Sequence, residues 1–290
     1  MNREDRSMNA KAREALIAQG HQFVELSQGN THYQLTGPDE GELVVLVHGT
    51  SGPMTVWNET VQPLVEAGYR VLRFDFFGRG YSDRIDTRYD LDLHVAQLDE
   101  LLTALKLSAP LHLVGSSLGA IVVAETARRT PELVRSLVFV GPAGFELEAD
   151  PIAQLGQVAY LGDYLMKVLG DKKLVEHHRK YFVDASRFES YHQGFADVLR
   201  YRGTKAAILS TLRHTPLQSY VDDYAAIGTS GVPSLLVWGT GDITFPFVNH
   251  AQFQEAVPQA QFVPIDSAAH LPMLEQPAAV NAALLSFLSR

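Results

Sequence analysis

Cysteine is absent from this chain of 290 residues, and its absence removes several kinds of chemistry at once. A chain without thiols forms no disulfide, binds no zinc or iron–sulfur cluster through cysteine and has no thiol nucleophile. The glycine patterns that cradle nucleotide phosphates, G-x-x-x-x-G-K-[ST] and G-x-G-x-x-G, are missing as well. No H-E-x-x-H pattern and no carboxylate–histidine spacing indicates a metal site. We therefore expect no cofactor and no metal.

Basic residues are scarce, since 24 Lys and Arg against 33 Asp and Glu give a net charge of −9. Without a basic run, binding of nucleic acid or of an anionic membrane surface is disfavoured, because both depend on cationic contacts with phosphates. No stretch approaches the roughly 18 apolar residues of a transmembrane helix. The first residues, MNREDRSMNAKAREAL, are too polar for a secretory signal. These features predict a cytoplasmic protein, and no pattern specifies an oligomeric state.

The chain alternates between short apolar strands and longer helical stretches, which predicts a parallel sheet with crossover helices. Its composition, 46% hydrophobic and 20% charged, is typical of a globular protein. The length fits one large domain or one domain with an insertion. The predicted strands are Phe23–Leu26, His32–Leu35, Leu43–Val47, Arg70–Asp75, Leu111–Val114, Leu137–Val140, Ser234–Trp238 and Gln261–Ile265.

The alternation stops after Gly144 and returns near residue 216. The segment 146–215 contains no convincing strand. It contains helix-like stretches near 151–169, 172–182, 187–200 and 203–213. We therefore predict a core domain made of residues 1–145 and 216–290, with a helical cap, 146–215, inserted before the last two strands.

The segment Gly115-Ser-Ser-Leu-Gly119 is a G-x-S-x-G pattern at the end of a predicted strand and the start of a predicted helix. This context defines a nucleophile elbow, where a sharp turn exposes the hydroxyl of the middle serine. The flanking glycines suit a turn too tight for a Cβ atom. The pattern predicts Ser117 as the nucleophile and assigns Ser116 a structural role.

A serine nucleophile needs a base, usually histidine, and an acid that orients the base. Asp242 and His270 follow the last two predicted strands, in the order that this architecture requires. Carboxyl ends of parallel strands meet at one edge of a sheet, so both side chains are expected near Ser117. The main alternatives are His48 as base and Asp266 as acid. His48 is favoured as a residue that shapes its loop.

Two other predictions concern the oxyanion donors and the remaining histidines. An oxyanion needs two donors, and the backbone N–H groups of Thr50 and Leu118 are the candidates. Among the remaining histidines, His112 is predicted in the core, and the adjacent His177 and His178 are predicted at the surface.

These motifs together, LVHGT, FDFFGRGYSD, GSSLGA, WGTGD and AAHLPMLEQP, resemble the α/β-hydrolase superfamily, in its branch of capped serine esterases, lipases and C–C hydrolases. The resemblance covers about residues 25–145 and 216–290. It implies a mostly parallel eight-stranded sheet with helices on both faces, a Ser-Asp-His triad and no cofactor. It assigns the nucleophile to Ser117, the acid to Asp242 and the base to His270.

The expected function is a serine carboxylesterase that cleaves small to medium esters with an apolar part through an acyl-enzyme. One alternative is a meta-cleavage C–C hydrolase. Such enzymes typically carry Trp after the catalytic histidine, where this chain has Leu271. They would also need a cation for the substrate carboxylate, for which Arg187 and Arg202 are candidates. The other alternative is a ligand receptor of this fold that retains the triad and scarcely turns over.

Overall fold

The computed structural model describes residues 6–107, 110–146, 158 and 160–289. They form one eight-stranded sheet, and the predicted fold class is confirmed. The strands are β1 (Gln22–Leu26), β2 (Gly29–Thr36), β3 (Leu43–Val47), β4 (Arg70–Phe74), β5 (Leu111–Ser116), β6 (Val134–Val140), β7 (Ser234–Gly239) and β8 (Gln261–Ile265). Their spatial order is β1-β2-β4-β3-β5-β6-β7-β8.

Six neighbouring strands, from β4 to β8 in the spatial order, run parallel, and β1 and β2 add an antiparallel edge. Every residue of β3, β5 and β7 is buried. A parallel strand covered by helices on both faces must be apolar along its whole length, which explains the continuous run Leu43–Val47.

The helices cover both faces of this sheet. They are α1 (Ala10–Ile17), α2 (Asn58–Glu66), α3 (Leu91–Ala104), α4 (Leu118–Arg129), α5 (Leu161–Arg179), α6 (Glu189–Val198), α7 (Thr204–His214), α8 (Val221–Ser230), α9 (His250–Ala256), α10 (Pro272–Glu275) and α11 (Pro277–Leu288). One hydrophobic cluster contains residues of α3, α4, α8 and α9, and a second contains residues of α2, α10 and α11. No helix within the described ranges is both long and apolar enough to cross a membrane.

Four of the described helices lie between β6 and β7, and three of them, α5, α6 and α7, fall within residues 146–215, where the helical insertion is predicted. A small hydrophobic cluster lies among them, made of Phe195, Val198, Leu199 and Ile208, and Leu174 and Val175 of α5 pack against it. The beginning of the first predicted helix, residues 151–157, lies outside the described residues. The limits of the cap as a separate unit stay a prediction.

The expected break between two helices near residues 170–172 is wrong, because α5 continues from Leu161 to Arg179. Gly170 and Asp171 lie at the predicted break. In the structure, a Cβ atom at Gly170 would lie 3.1 Å from Cδ of Lys205 on α7. The Lys205 ammonium is paired with Asp171 at 2.8 Å. Gly170 therefore allows two helices to approach closely and does not end one.

Candidate active site

The turn between β5 and α4 holds Ser117 in a strained conformation, with φ +56° and ψ −118°. A Cβ atom at Gly115 would lie 2.3 Å from the carbonyl oxygen of Gly119, and one at Gly119 would lie 2.3 Å from that of Val47. Only glycine fits at these two positions. Hydrogen bonds from the N–H groups of Ala120 and Ala143 to the Ser117 carbonyl hold the turn. Strain maintained by such surroundings is typical of a functional site.

Asp242 and His270 meet at the carboxyl edge of the sheet, beyond β7 and β8 respectively. Nδ1 of His270 lies 2.8 Å from Oδ2 of Asp242, and both side chains are buried. With the carboxylate ionised, Nδ1 carries the hydrogen and Nε2 is left as the acceptor. Asp266, the alternative acid, is exposed in the loop after β8. The structure therefore pairs His270 with Asp242.

Three further hydrogen bonds hold the Asp242 carboxylate. Oδ1 accepts from the backbone N–H groups of Thr244 and Phe245, at 2.8 and 3.1 Å. Oδ2 accepts from Nε1 of Trp238 at 3.1 Å. A carboxylate fixed by several donors holds the imidazole in one orientation and one tautomer.

Ser117 and His270 line one cavity, about 300 Å³ in volume with its open mouth included. Only about 20 Å³ of this volume accommodates the centre of a water molecule, which is room for about one ordered water. Its described lining contains no Lys, Arg, Asp or Glu. The lining residues are Gly49, Thr50, Ser51, Gly52, Val56, Ser116, Ser117, His178, Tyr181, Tyr191, His270 and Leu271.

The two residues predicted as oxyanion donors belong to segments that border Ser117. Leu118 is the first residue of α4, so its N–H has no acceptor within the helix. Thr50 lines the cavity in the loop after β3. A Cβ atom at Gly49 would lie 3.1 Å from Cβ of Ser117, so this loop passes directly beside the serine.

His48 fixes the peptide group whose N–H belongs to Thr50. Its Nε2 accepts a hydrogen bond from the backbone N–H of Phe76 at 2.9 Å, so Nδ1 carries the hydrogen and donates to the Gly49 carbonyl at 2.7 Å. Burial lowers the pKa of His48 to about 4, so the ring is neutral at pH 7. The expectation that His48 shapes its loop is confirmed.

Arg79 also holds the loop that contains Thr50. Its Nε donates to the carbonyl of Thr50 at 2.8 Å, and its Nη2 donates to Oγ1 of Thr211 on α7 at 2.6 Å. The guanidinium is fully buried, which lowers its pKa to about 10 and leaves it charged at pH 7. Arg79 thus connects the Thr50 loop to the inserted helices.

The prediction for His178 is wrong, whereas that for His112 is confirmed. His112 is buried in β5, with Nδ1 2.7 Å from Oγ of Ser136. His178 is only 1% exposed and lines the cavity. Its position on a helix was evident from the sequence, but nothing there indicates which face of α5 meets the core domain. For the same reason, Tyr181 and Tyr191 could not be identified from the sequence as lining residues.

Neither arginine considered as a substrate-binding cation reaches the cavity. The Arg187 guanidinium lies over the ring of Phe188, 5.9 Å from its centroid. Arg202 lines a separate opening with Arg13 and Asp83, near the start of the chain. Elsewhere in the described part of the chain, no group of three or more His, Asp or Glu side chains is arranged to hold a metal ion.

This elbow, the Asp–His pair beyond the last strands and the sheet order define an α/β-hydrolase architecture. A model of the alpha/beta hydrolase family matches residues 44–283, and the chain belongs to that family.

Similarity to individual proteins extends over nearly the whole chain. The 2-hydroxy-6-oxononadienedioate/2-hydroxy-6-oxononatrienedioate hydrolase of Cupriavidus pinatubonensis is 27% identical, over 97% of this chain and 99% of the relative. The 2-hydroxy-6-oxo-6-(2'-aminophenyl)hexa-2,4-dienoic acid hydrolase of Metapseudomonas resinovorans is 26% identical, over 92% and 90%. The crystal structure of a bromoperoxidase from Bacillus anthracis superposes with a TM-score of 0.80 at 24% identity, covering 93% of this chain and 100% of the other.

Proposed function

We propose that this protein is a serine hydrolase that cleaves small, uncharged carboxylic esters through an acyl-enzyme. The observation that carries the proposal is the arrangement of three groups around one cavity. Ser117 lies on a strained elbow, and His270 lines the same cavity. The buried carboxylate of Asp242 lies 2.8 Å from Nδ1 of the His270 imidazole. A serine, a histidine base and an orienting carboxylate in this order activate the hydroxyl for attack on an acyl carbon.

In the proposed reaction, Nε2 of His270 takes the hydroxyl proton of Ser117 as Oγ attacks the ester carbonyl carbon. The carbonyl oxygen becomes an oxyanion, which accepts hydrogen bonds from the N–H groups of Thr50 and Leu118. The tetrahedral intermediate collapses, the alcohol oxygen leaves, and His270 returns the proton to it. Asp242 stabilises the imidazolium that forms between these steps.

Hydrolysis of the acyl-enzyme repeats the sequence with water as the nucleophile. His270 takes a proton from water, the hydroxide attacks the acyl carbon, and the second tetrahedral intermediate releases the carboxylic acid. The proton on His270 returns to Oγ of Ser117. All protons are then accounted for, and no cofactor enters any step.

We also propose that residues 146–215 act as a cap that completes the cavity. Three lining residues, His178, Tyr181 and Tyr191, come from this segment. The ring of Tyr181 lies edge-on to that of His270, with centroids 4.9 Å apart. The cap therefore contributes the wall that faces the base.

Cleavage of a C–C bond is the second candidate, and the relatives named above favour it. Their names describe hydrolysis of 2-hydroxy-6-oxo dienoic acids, and the same serine chemistry could act on such ketones. These substrates carry carboxylates, and no Lys or Arg belongs to the described lining of this cavity. His178 does not supply a charge either, because burial and the neighbouring histidines hold its pKa well below 6.5. The uncharged wall favours the ester.

The test is hydrolysis of p-nitrophenyl esters of graded acyl length by the wild type, Ser117→Ala and the control Ser219→Ala, whose serine is exposed. We expect wild-type turnover with an optimum at short acyl chains, unchanged in the control and lost in Ser117→Ala. Equal rates in Ser117→Ala and wild type would mean that another residue is the nucleophile.

The same preparations are offered the aminophenyl hexadienoic acid of the Metapseudomonas relative. Cleavage of this acid without ester hydrolysis would replace the ester proposal by the C–C candidate. Binding of either compound without turnover would favour a ligand receptor.

A further inference from the structure

Two polar groups on the cap side of the cavity lack the partners that buried groups normally have. Oη of Tyr191 and Nδ1 of His178 are buried and make no hydrogen bond to any described residue. Most buried polar atoms in proteins are paired with protein or ordered water, so two such atoms on side chains that line one cavity need an explanation. The neighbouring hydroxyl of Tyr181 is different, because it is hydrogen-bonded to Ser51.

Both side chains point towards the Thr50 loop, close to the expected position of the ester carbonyl. A Cβ atom built on Gly52 would lie 3.0 Å from Oη of Tyr191 and 3.5 Å from Nε2 of His178. Gly52 is two residues beyond Thr50 and lines the same cavity. The absence of a side chain at Gly52 leaves open the space in front of Oη of Tyr191 and Nε2 of His178, so it is Nε2 and not the buried Nδ1 that faces this part of the cavity.

The imidazole of His178 is held in place by stacking. Its centroid is 4.0 Å from that of the Phe195 ring, at an interplanar angle of 14°. The ring of Tyr191 also stacks on the imidazole, with centroids 5.3 Å apart and planes that differ by 27°. A ring packed in this way cannot turn to find another partner. Oη of Tyr191 and Nε2 of His178 are therefore preorganised for a group that enters the cavity.

The chemistry of the two groups defines the ligand class. His178 is uncharged at pH 7, since burial lowers its pKa, and burial raises the pKa of the Tyr191 hydroxyl. A phenol donates one hydrogen bond, and a neutral imidazole donates one and accepts one. Uncharged partners in a wall without cations disfavour a carboxylate or phosphate and suit an ether, ketone or hydroxyl oxygen.

We propose that Tyr191 and His178 form a specificity subsite for a second, uncharged oxygen of the ester, a few atoms from the scissile carbonyl. The substrate class is then an alkoxy, keto or hydroxy ester in place of a plain alkyl ester. This inference rests on the proposed ester hydrolysis and adds the group that distinguishes the substrate.

The test compares p-nitrophenyl esters whose acyl groups have equal numbers of heavy atoms: butanoate, methoxyacetate and 3-hydroxypropanoate. Each value of kcat/KM is divided by the rate of alkaline hydrolysis of the same ester, which removes differences in intrinsic reactivity. Butyl acetate and 2-methoxyethyl acetate, followed by pH-stat, examine the alcohol side in the same way. We expect the wild type to prefer an oxygen-bearing ester in one of the two series by about tenfold, the value of one neutral hydrogen bond.

Tyr191→Phe removes one hydroxyl and keeps the ring, and we expect it to abolish most of this preference. His178→Phe keeps the stack on Phe195 and is expected to lower the preference for the hydroxy ester. The control is Tyr164→Phe, the same change at an exposed tyrosine on α5, which should leave the preference as in the wild type. Equal losses for all esters in Tyr191→Phe, or no wild-type preference in either series, would overturn the subsite.

A binding measurement separates failure of the subsite from failure of ester hydrolysis. Butanamide, methoxyacetamide and 3-hydroxypropanamide are titrated against Ser117→Ala by saturation-transfer NMR, with and without Tyr191→Phe. Tighter binding of the oxygen-bearing amides that depends on Tyr191 would support the subsite even if no ester were hydrolysed. Equal binding of all three amides would contradict it even if butanoate were a good substrate.

Discussion

The protein contains two buried Asp–His pairs that look alike locally and differ in what the far side of the imidazole meets. In the first, Asp242 and His270 are 2.8 Å apart, and the ring borders the cavity beside Ser117. In the second, Oδ2 of Asp75 lies 2.7 Å from Nδ1 of His32. There Nε2 of His32 is 2.9 Å from Nδ1 of His21. The second imidazole is thus closed off by another histidine.

The second Asp–His pair connects Asp75 to the segments that contain His32, Met54 and Tyr81. The Asp75 carboxylate also accepts hydrogen bonds from the backbone N–H groups of Met54 and Tyr81, at 2.7 and 2.9 Å. Burial alone would raise the pKa of Asp75, but the hydrogen bond and charge of His32 hold it well below its usual range. An Asp–His pair is therefore a catalytic candidate only when the second nitrogen faces an open space with a nucleophile.

The largest effect should come from Asp242→Asn. The amide no longer selects the tautomer in which Nε2 of His270 accepts the serine proton, so we expect kcat for p-nitrophenyl butanoate to fall by about 10⁴-fold. Steady-state kinetics measure the effect, and a melting curve shows whether the variant is folded. A fall below tenfold in folded protein would remove Asp242 from the proposed triad.

The matching change in the other pair, Asp75→Asn, should act on stability. It weakens three hydrogen bonds to a buried carboxylate, and we expect the free energy of unfolding in urea to fall by about 4 kcal/mol. Because the folded pKa of Asp75 is depressed, its contribution is present above the unfolded value near 4 and is lost as the pH falls below it. If folded Asp75→Asn lost activity as severely as Asp242→Asn, the distinction between the two pairs would be wrong.

The difference between the two pairs shows what can be predicted from sequence. Ser117, Asp242 and His270 each follow a strand of the parallel sheet, so strand periodicity and chain order were enough to place them at one edge. Asp75 also follows a strand, β4. Its partner His32 was not predicted, because the antiparallel pairing of β2 with β4 depends on long-range register.

The cap was less predictable for a physical reason. Helical periodicity located α6 and α7 within a few residues, but a helix between two layers has two faces that can be buried. His178 was therefore predicted at the surface, although it packs on Phe195 and borders the cavity. Gly170 is similar, since the contacts of a Cβ atom at this position, 2.8 Å to Sδ of Met166 and 3.1 Å to Cδ of Lys205, are evident only from the structure.

His48 offers a test of the Thr50 loop. His48→Gln lacks a rigid ring that joins the N–H of Phe76 to the carbonyl of Gly49, so the Thr50 N–H should lose its fixed direction. We expect kcat to fall about thirtyfold with KM within about threefold, as for a group that acts in the transition state. A change confined to KM would contradict this role.

The pH dependence of stability provides an independent check on His48. Its pKa is lowered to about 4 in the folded state, so the unfolded chain binds the proton first. The stability from neutral His48 is complete above about pH 6.5 and falls by about 3 kcal/mol as the pH drops to 4. The urea unfolding curve of His48→Gln should lose this part of the slope, and an unchanged slope would show that His48 is not neutral in the fold.

The smallest effect should come from His21→Phe, at the outer end of the second pair. The change removes the hydrogen bond to Nε2 of His32 and should lower the free energy of unfolding by about 1 kcal/mol. A double-mutant cycle shows which pair it belongs to, because residues of one network couple and distant ones add. We expect coupling of His21→Phe with Asp75→Asn and additivity with Asp242→Asn, measured by urea unfolding. Additivity with both would mean that His21 does not close the second pair, and that the far nitrogen of His32 is satisfied in another way.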